Sequence, residues 1–76
     1  RQLRHAAAAI AGGADADETL DALADALAEA GAEVEYLDLR DALTLDEIAA
    51  FEPGRPARIF AAIDHAGTRL RDSVGL

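Results

Sequence analysis

Gly67 stands between two stretches of alternating apolar character, and this arrangement constrains the chain more than any other. Before it, Ala57, Ile59, Ala61 and Ile63 recur at every second position, so in an extended strand they share one face. After it, Leu70, Val74 and Leu76 share a face, while Arg69, Arg71 and Ser73 point the other way. Glycine at Gly67 supplies the positive φ that a tight turn demands. The stretch reads as a β-hairpin. A three-residue loop at His65–Gly67 would set Ile63 opposite Arg69. A two-residue loop at Ala66-Gly67 pairs His65 with Thr68, Asp64 with Arg69, Ile63 with Leu70 and Ile59 with Val74. The second register keeps Ile59, Ile63, Leu70 and Val74 on one covered face and sets an acid against a base on the other. It is the register expected here, although Ala-Gly is not the dipeptide that two-residue turns favour.

Upstream, the pattern changes to helical spacing. Leu3, Ala6, Ala7 and Ile10 form an apolar stripe over residues 1–11, which Gly12-Gly13 ends. Asp15 to Ala30 is the clearest helix. Asp15 is placed as N-cap with Glu18 three residues on, Leu20, Leu23, Leu27, Ala24 and Ala30 form the buried stripe, and Gly31 closes it. Glu33 to Asp41 reads as a strand whose alternation switches between Tyr36 and Leu37, as a bulge or a strand covered on both faces would require. Thr44 and Glu47 have capping-box spacing, and Leu43 and Ile48 are placed for a hydrophobic staple. A short helix is therefore expected from Leu45 to about Phe51, stopping at Pro53-Gly54. The expected architecture is α+β: a small three-stranded antiparallel sheet with helices packed on one face, forming a single domain over residues 1–76.

Composition limits what such a domain does. Half of the 76 residues are hydrophobic, but many are alanine, so the core is small and a partner surface could add to its stability. There is no cysteine, hence no disulfide framework and no thiolate chemistry. No apolar run is long enough for a membrane span and no signal peptide is visible, so no membrane partner is expected. The first residue is Arg rather than Met, as in a fragment or a processed chain.

The net charge of −8 argues against nucleic acid as a partner. It is unevenly placed. Residues 1–54 carry three arginines against thirteen acids, for −10, and residues 55–76 carry Arg55, Arg58, Arg69 and Arg71 against Asp64 and Asp72, for +2. The hairpin is thus the one place that would attract an anion, unless its arginines pair with acids of their own domain. The row Asp21, Asp25 and Glu29 is a solvated acidic face rather than a cation strip, since no calcium loop accompanies it. His65 beside Asp64 has the form of a base with its orienter, but Ser73 is the only serine and no catalytic set surrounds the pair. His5 lies off the apolar stripe with no convergent partner. There is no phosphate-cradling glycine loop and no Cys/His metal spacing.

The run Tyr36-Leu37-Asp38-Leu39-Arg40-Asp41, then Thr44-Leu45, Ala61-Ala62 and Gly67-Thr68-Arg69-Leu70-Arg71-Asp72-Ser73, resembles the C-terminal domain of pantothenate synthetase (pantoate–β-alanine ligase) in order and spacing. The resemblance extends from about Ala6 to Val74. It departs from the family pattern at Asp64, at the shifted turn Ala66-Gly67, at Arg71 and at Ser73. The resemblance implies a reaction in which ATP adenylates pantoate with release of pyrophosphate, after which β-alanine displaces AMP to give pantothenate, on the route to coenzyme A. It implies that this piece is a mobile lid, inactive alone and without catalytic residues of its own, that closes on the nucleotide side of the site. Arg58, Arg69 and Arg71 are then the nucleotide-facing residues. ATP and Mg²⁺ are expected for the complete cytoplasmic enzyme, none bound by this chain alone. The partner is an N-terminal nucleotide-binding domain of the same enzyme. The other reading is a repurposed protein-interaction module of the same fold that meets another protein or a second copy of itself.

Overall fold

The computed structural model describes residues 2–76. Its elements run α1 (Gln2–Ala11), α2 (Ala16–Glu29), β1 (Ala32–Asp41), β2 (Ala57–His65) and β3 (Thr68–Gly75). The strands form one antiparallel sheet in the order β1-β2-β3, so β2 is central. Both helices lie on the same side of it, giving the α+β arrangement the sequence predicts. Arg1, counted above with the first helix, lies outside the described residues.

The apolar stripe of α1 is buried as read, at Leu3, Ala6, Ala7 and Ile10. Helix α2 begins where Asp15 accepts a hydrogen bond from the Glu18 amide at 2.9 Å, which satisfies one of the first turn's unpaired N–H groups. It ends at Gly31, whose φ of +91° lets the chain turn into β1. The burial of α2 is shallower than expected. Ala16 and Leu20 are buried, Leu23, Ala24 and Leu27 are only half-covered, and Ala30 is exposed. The reason is size: α1 presents mainly alanine to α2, so it cannot cover the second half of that helix.

The hairpin register is the two-residue one. His65 pairs Thr68, Asp64 pairs Arg69, Ile63 pairs Leu70 and Ile59 pairs Val74. Ala66 and Gly67 take φ of +53° and +81°, which makes the turn the mirror-image type that fits the twist of a hairpin. Ile59, Ile63, Leu70 and Val74 share the helix-side face, but Leu70 is 54% exposed and so is not covered. It stands at the β3 edge across a hollow that it lines with Leu3 of α1 and Leu23 and Leu27 of α2, which do not close over it. In β1 the alternation switches because of a bulge: Val34 pairs Ile63 and Tyr36 pairs Ala62, which leaves Glu35 as the extra residue. Strand β1 is an edge strand, not a central one.

The short helix expected from Leu45 to Phe51 does not form. The Asp41 carboxylate accepts hydrogen bonds from the Leu43 and Thr44 amides, and the Thr44 hydroxyl accepts one from the Asp46 amide at 3.3 Å. These local bonds draw the amides into turns, which is how Asp and Thr compete with a helix. Leu45 takes φ of +66°, and residues 46–48 run back along β1, with Arg40 bridged to Glu47 and the Ile48 amide donating to the Leu39 carbonyl. The staple fails too: Leu43 is 80% exposed, while Ile48 and Phe51 pack on the core.

Candidate functional site

The helices occupy one face of the sheet and leave the other free of them. Cross-strand pairing places four rows on this open face. Arg69, Asp64 and Glu33 form one, Arg71, Ala62 and Tyr36 the next, then Ser73, Phe60 and Asp38, and finally Gly75, Arg58 and Arg40. The middle rows have an apolar floor of Ala62, Phe60 and Tyr36. Charged groups ring it. Two shallow hollows meet over this floor: one of about 340 Å³ lined by Tyr36, Asp38, Arg40, Leu45 and Phe60, and one lined by Tyr36, Phe60, Arg71 and Ser73 among others. A larger hollow lies between α1 and α2, walled by Ala6, Ala9, Ala22 and Ala26, where small side chains leave space, with Gln2, His5, Glu18 and Thr19 as its polar lining.

The three arginines singled out from the sequence all lie on the open face, in three different states. Arg69 donates to Glu35 at 2.6 Å, reaching across β2 to the bulge in β1. Glu35 is the extra residue of the bulge, two positions beyond Glu33 and on the same face as Arg69. Arg58 is held by the Ser73 carbonyl and hydroxyl, at 3.3 and 3.1 Å. Its guanidinium lies against Gly75, where a Cβ would stand 3.2 Å from Arg58 Nη1, so the missing side chain makes room for it. Arg71 has no ion-pair or hydrogen-bond partner among the described residues. It flanks Ser73 on the side away from Gly75. The fourth hairpin-region arginine, Arg55, is bound to Asp41 at 2.8 Å. Two of the four thus pair within the chain, and two keep their charge for another group.

Counted over the whole face, Arg40, Arg58, Arg69 and Arg71 stand against Glu33, Glu35, Asp38 and Asp64. The face is therefore balanced in sum and polarised in layout, with three of its four acids on β1 and Arg58 and Arg71 toward Ser73 on β3.

Sequence reading missed Asp41. It is 7% exposed at the end of β1, and its carboxylate accepts from Arg55 Nε at 2.8 Å and from the Leu43 and Thr44 amides at 2.8 and 3.0 Å. The Arg55 hydrogen bond first, then the two amides, hold the carboxyl at about 2, below its ordinary 3.8. The signal was present: an acid ending a strand just before a Thr, with an unplaced arginine after Pro53-Gly54. On its other flank Arg40 donates to the Leu45 carbonyl and to Asp38. His65 is exposed at the end of β2 and the partner of Asp64 across the strands is Arg69, so the two form no base-and-orienter pair with a nucleophile. Among the described residues no three His, Asp or Glu side chains converge as a metal site requires, and no helix is long and apolar enough to cross a membrane.

Comparison with known proteins identifies relatives along the whole chain. It is 47% identical over 75 residues to the pantothenate synthetase of Novosphingobium aromaticivorans, 44% over 77 residues to that of Paracoccus denitrificans, and 38% over 76 residues to that of Rhodopseudomonas palustris. These alignments cover 97%, 100% and 100% of this chain and 26% of each relative. The chain thus spans about a quarter of the length of the curated relatives it matches. No family model matches it.

Proposed function

We propose that this chain, which resembles the C-terminal domain of pantothenate synthetase along its whole length, is the lid portion of an ATP-dependent ligase that condenses pantoate with β-alanine through a pantoyl-adenylate. The observation that carries the reading is identity of 38–47% along the full chain to enzymes of that name. The helix-free sheet face supports it, because it offers a flat surface with one guanidinium, that of Arg71, without a partner among the described residues, and a second, that of Arg58, bound only to the neutral groups of Ser73.

In this role residues 1–76 act as one domain that closes on a nucleotide-binding domain of the same cytoplasmic enzyme. An acyl-adenylate is hydrolysed by water, so a closing surface that excludes water protects it. Arg71, without a partner among the described residues, and Arg58, poised on Ser73, present positive charge toward phosphate oxygens. Arg69 joins them only if its pair with Glu35 opens. In this reading the chain does not catalyse the reaction alone. ATP and Mg²⁺ belong to the complete enzyme. No step of this reading runs through a metal ion held by this chain.

The test is a chimera in which this chain replaces the matching quarter of the Novosphingobium aromaticivorans enzyme. The chimera should form pantothenate from pantoate, β-alanine and ATP, and Arg71→Ala should lower the rate by more than Arg69→Ala. The isolated chain should release no pyrophosphate above a protein-free blank. A folded chimera without activity would overturn the reading.

A further inference from the structure

The run Asp41-Ala42-Leu43-Thr44-Leu45 takes no part in the function just described, yet two charged residues hold it in place. Asp41 accepts from the Leu43 and Thr44 amides at 2.8 and 3.0 Å and from Arg55 at 2.8 Å. Its carbonyl accepts from the Leu45 amide at 2.9 Å, and Arg40 donates to the Leu45 carbonyl at 2.9 Å. Every bond points inward and fixes the backbone. The two leucine side chains point outward: Leu43 is 80% exposed and Leu45 54%. Leu45 does this at φ of +66°, a conformation that strains an L side chain and that glycine adopts freely. A strained leucine ordinarily gains core packing in return. This one gains none, since neither leucine belongs to the core cluster.

A rigid, strained loop with an apolar tip is built for contact with something outside the domain. We infer that Leu43 and Leu45 form a knob that docks into an apolar hollow on the remaining three quarters of a pantothenate synthetase chain. This rests on the lid reading. The relatives carry about three quarters of their length outside the region matched here, so most of the protein that the loop could meet lies there. Leu45 also borders the open face, lining one hollow with Tyr36 and Phe60, so the knob is continuous with the surface that the lid turns toward the rest of the enzyme. A second copy of this chain is disfavoured as the occupant, because each copy carries a net charge of −8. Pinning by Asp41 and Arg40 leaves little loop freedom to be lost on contact.

The probe is the portion of the Novosphingobium aromaticivorans enzyme outside the matched quarter, titrated with this chain without ATP or pantoate. The wild-type chain should bind. Leu45→Gly relieves the strain while removing the side chain, so it should fold at least as well by circular dichroism and bind at least about tenfold more weakly. Leu43→Ser should weaken binding in the same direction, and Leu70→Ser, on the opposite face, should leave it unchanged. Wild-type binding untouched by Leu45→Gly would overturn the knob and leave the lid reading intact. No wild-type binding, or a dimer of this chain that Leu45→Gly abolishes, would overturn it as well. Docking is read here without turnover, so inactivity of the chimera would leave a leucine-dependent contact standing.

Discussion

Ile59 offers the sharpest test of how the fold is held. It is wholly buried, in the first half of the central strand, between Leu39 on β1 and Val74 on β3. Replacing it with alanine removes three carbons and leaves a cavity. Buried Ile→Ala changes cost about 2–5 kcal/mol, and the position in that range depends on how far the surroundings collapse. Here collapse is hindered twice. Strand β2 is hydrogen-bonded on both sides and cannot shift, and several buried neighbours, among them Ala6, Ala7, Ala57 and Ala61, are too short to lean in. The expected loss is in the upper half of the range, roughly 3.5–5 kcal/mol. A 76-residue domain is stable by about 4–11 kcal/mol at typical per-residue values, so this one change removes a third or more of the total. In urea titrations followed by far-ultraviolet circular dichroism, Ile59→Ala should lower the midpoint by about 2 M or more. Ile59→Val should cost about 0.5–1.5 kcal/mol, and it keeps the test open if the alanine variant does not fold. Leu43→Ala, at an exposed site, is the control and should be close to neutral. A midpoint shift at Ile59→Ala no larger than at Leu43→Ala would refute the placement of the core.

Two further changes probe the loops. Asp41 titrates at about 2 in the folded chain against an ordinary 3.8, so its contribution is whole above pH 3.8 and is lost as pH falls toward 2. Asp41→Asn should be less stable than wild type at pH 7, and the gap between their urea midpoints should narrow from pH 4 to pH 2; a constant gap would show that the Arg55 contact carries no pH-dependent stability. At the hairpin, Ala66 sits at φ of +53°, which asparagine tolerates better, so Ala66→Asn should raise stability by up to about 1 kcal/mol, seen as a rise of several degrees in Tm, while Gly67→Ala should lower it by about 1–2 kcal/mol.

The readable parts of this fold are those fixed by side-chain periodicity. Only one hairpin register kept Ile59, Ile63, Leu70 and Val74 together, and that register formed. The N-cap at Asp15 and the turn at Gly31 followed from residues with one strong local preference each. The short helix failed because Thr44 and Glu47 match a capping box only if the Thr44 amide is free, and Asp41 had already bonded it. That competition is set by an acid three residues upstream, outside the motif. Leu23 and Leu27 were overrated for a related reason: a helical stripe shows which face turns inward, not how large the residues opposite it are. At the candidate site the face carrying Arg58, Arg69 and Arg71 was legible from alternation. Which of them were already engaged was not, because Arg69 passes over the acids of its own row, Asp64 and Glu33, to pair with Glu35.

The bulge and residues 46–48 also settle how the two outer strands meet solvent. Along β1 the ladder is interrupted at Glu35, and the returning loop pairs with Leu39 and Asp41 at the far end. That border gives another chain little uninterrupted backbone to copy. The border formed by β3 is regular over Thr68–Gly75 and pairs only with β2. Such a row of outward-facing amides and carbonyls is a template for edge-to-edge polymerisation. What guards it is charge: Arg69, Arg71 and Asp72 stand along the strand, all exposed, beside the uncovered Leu70. Neutralising them would leave that leucine on an unguarded edge, and the first consequence would be fibre growth rather than unfolding.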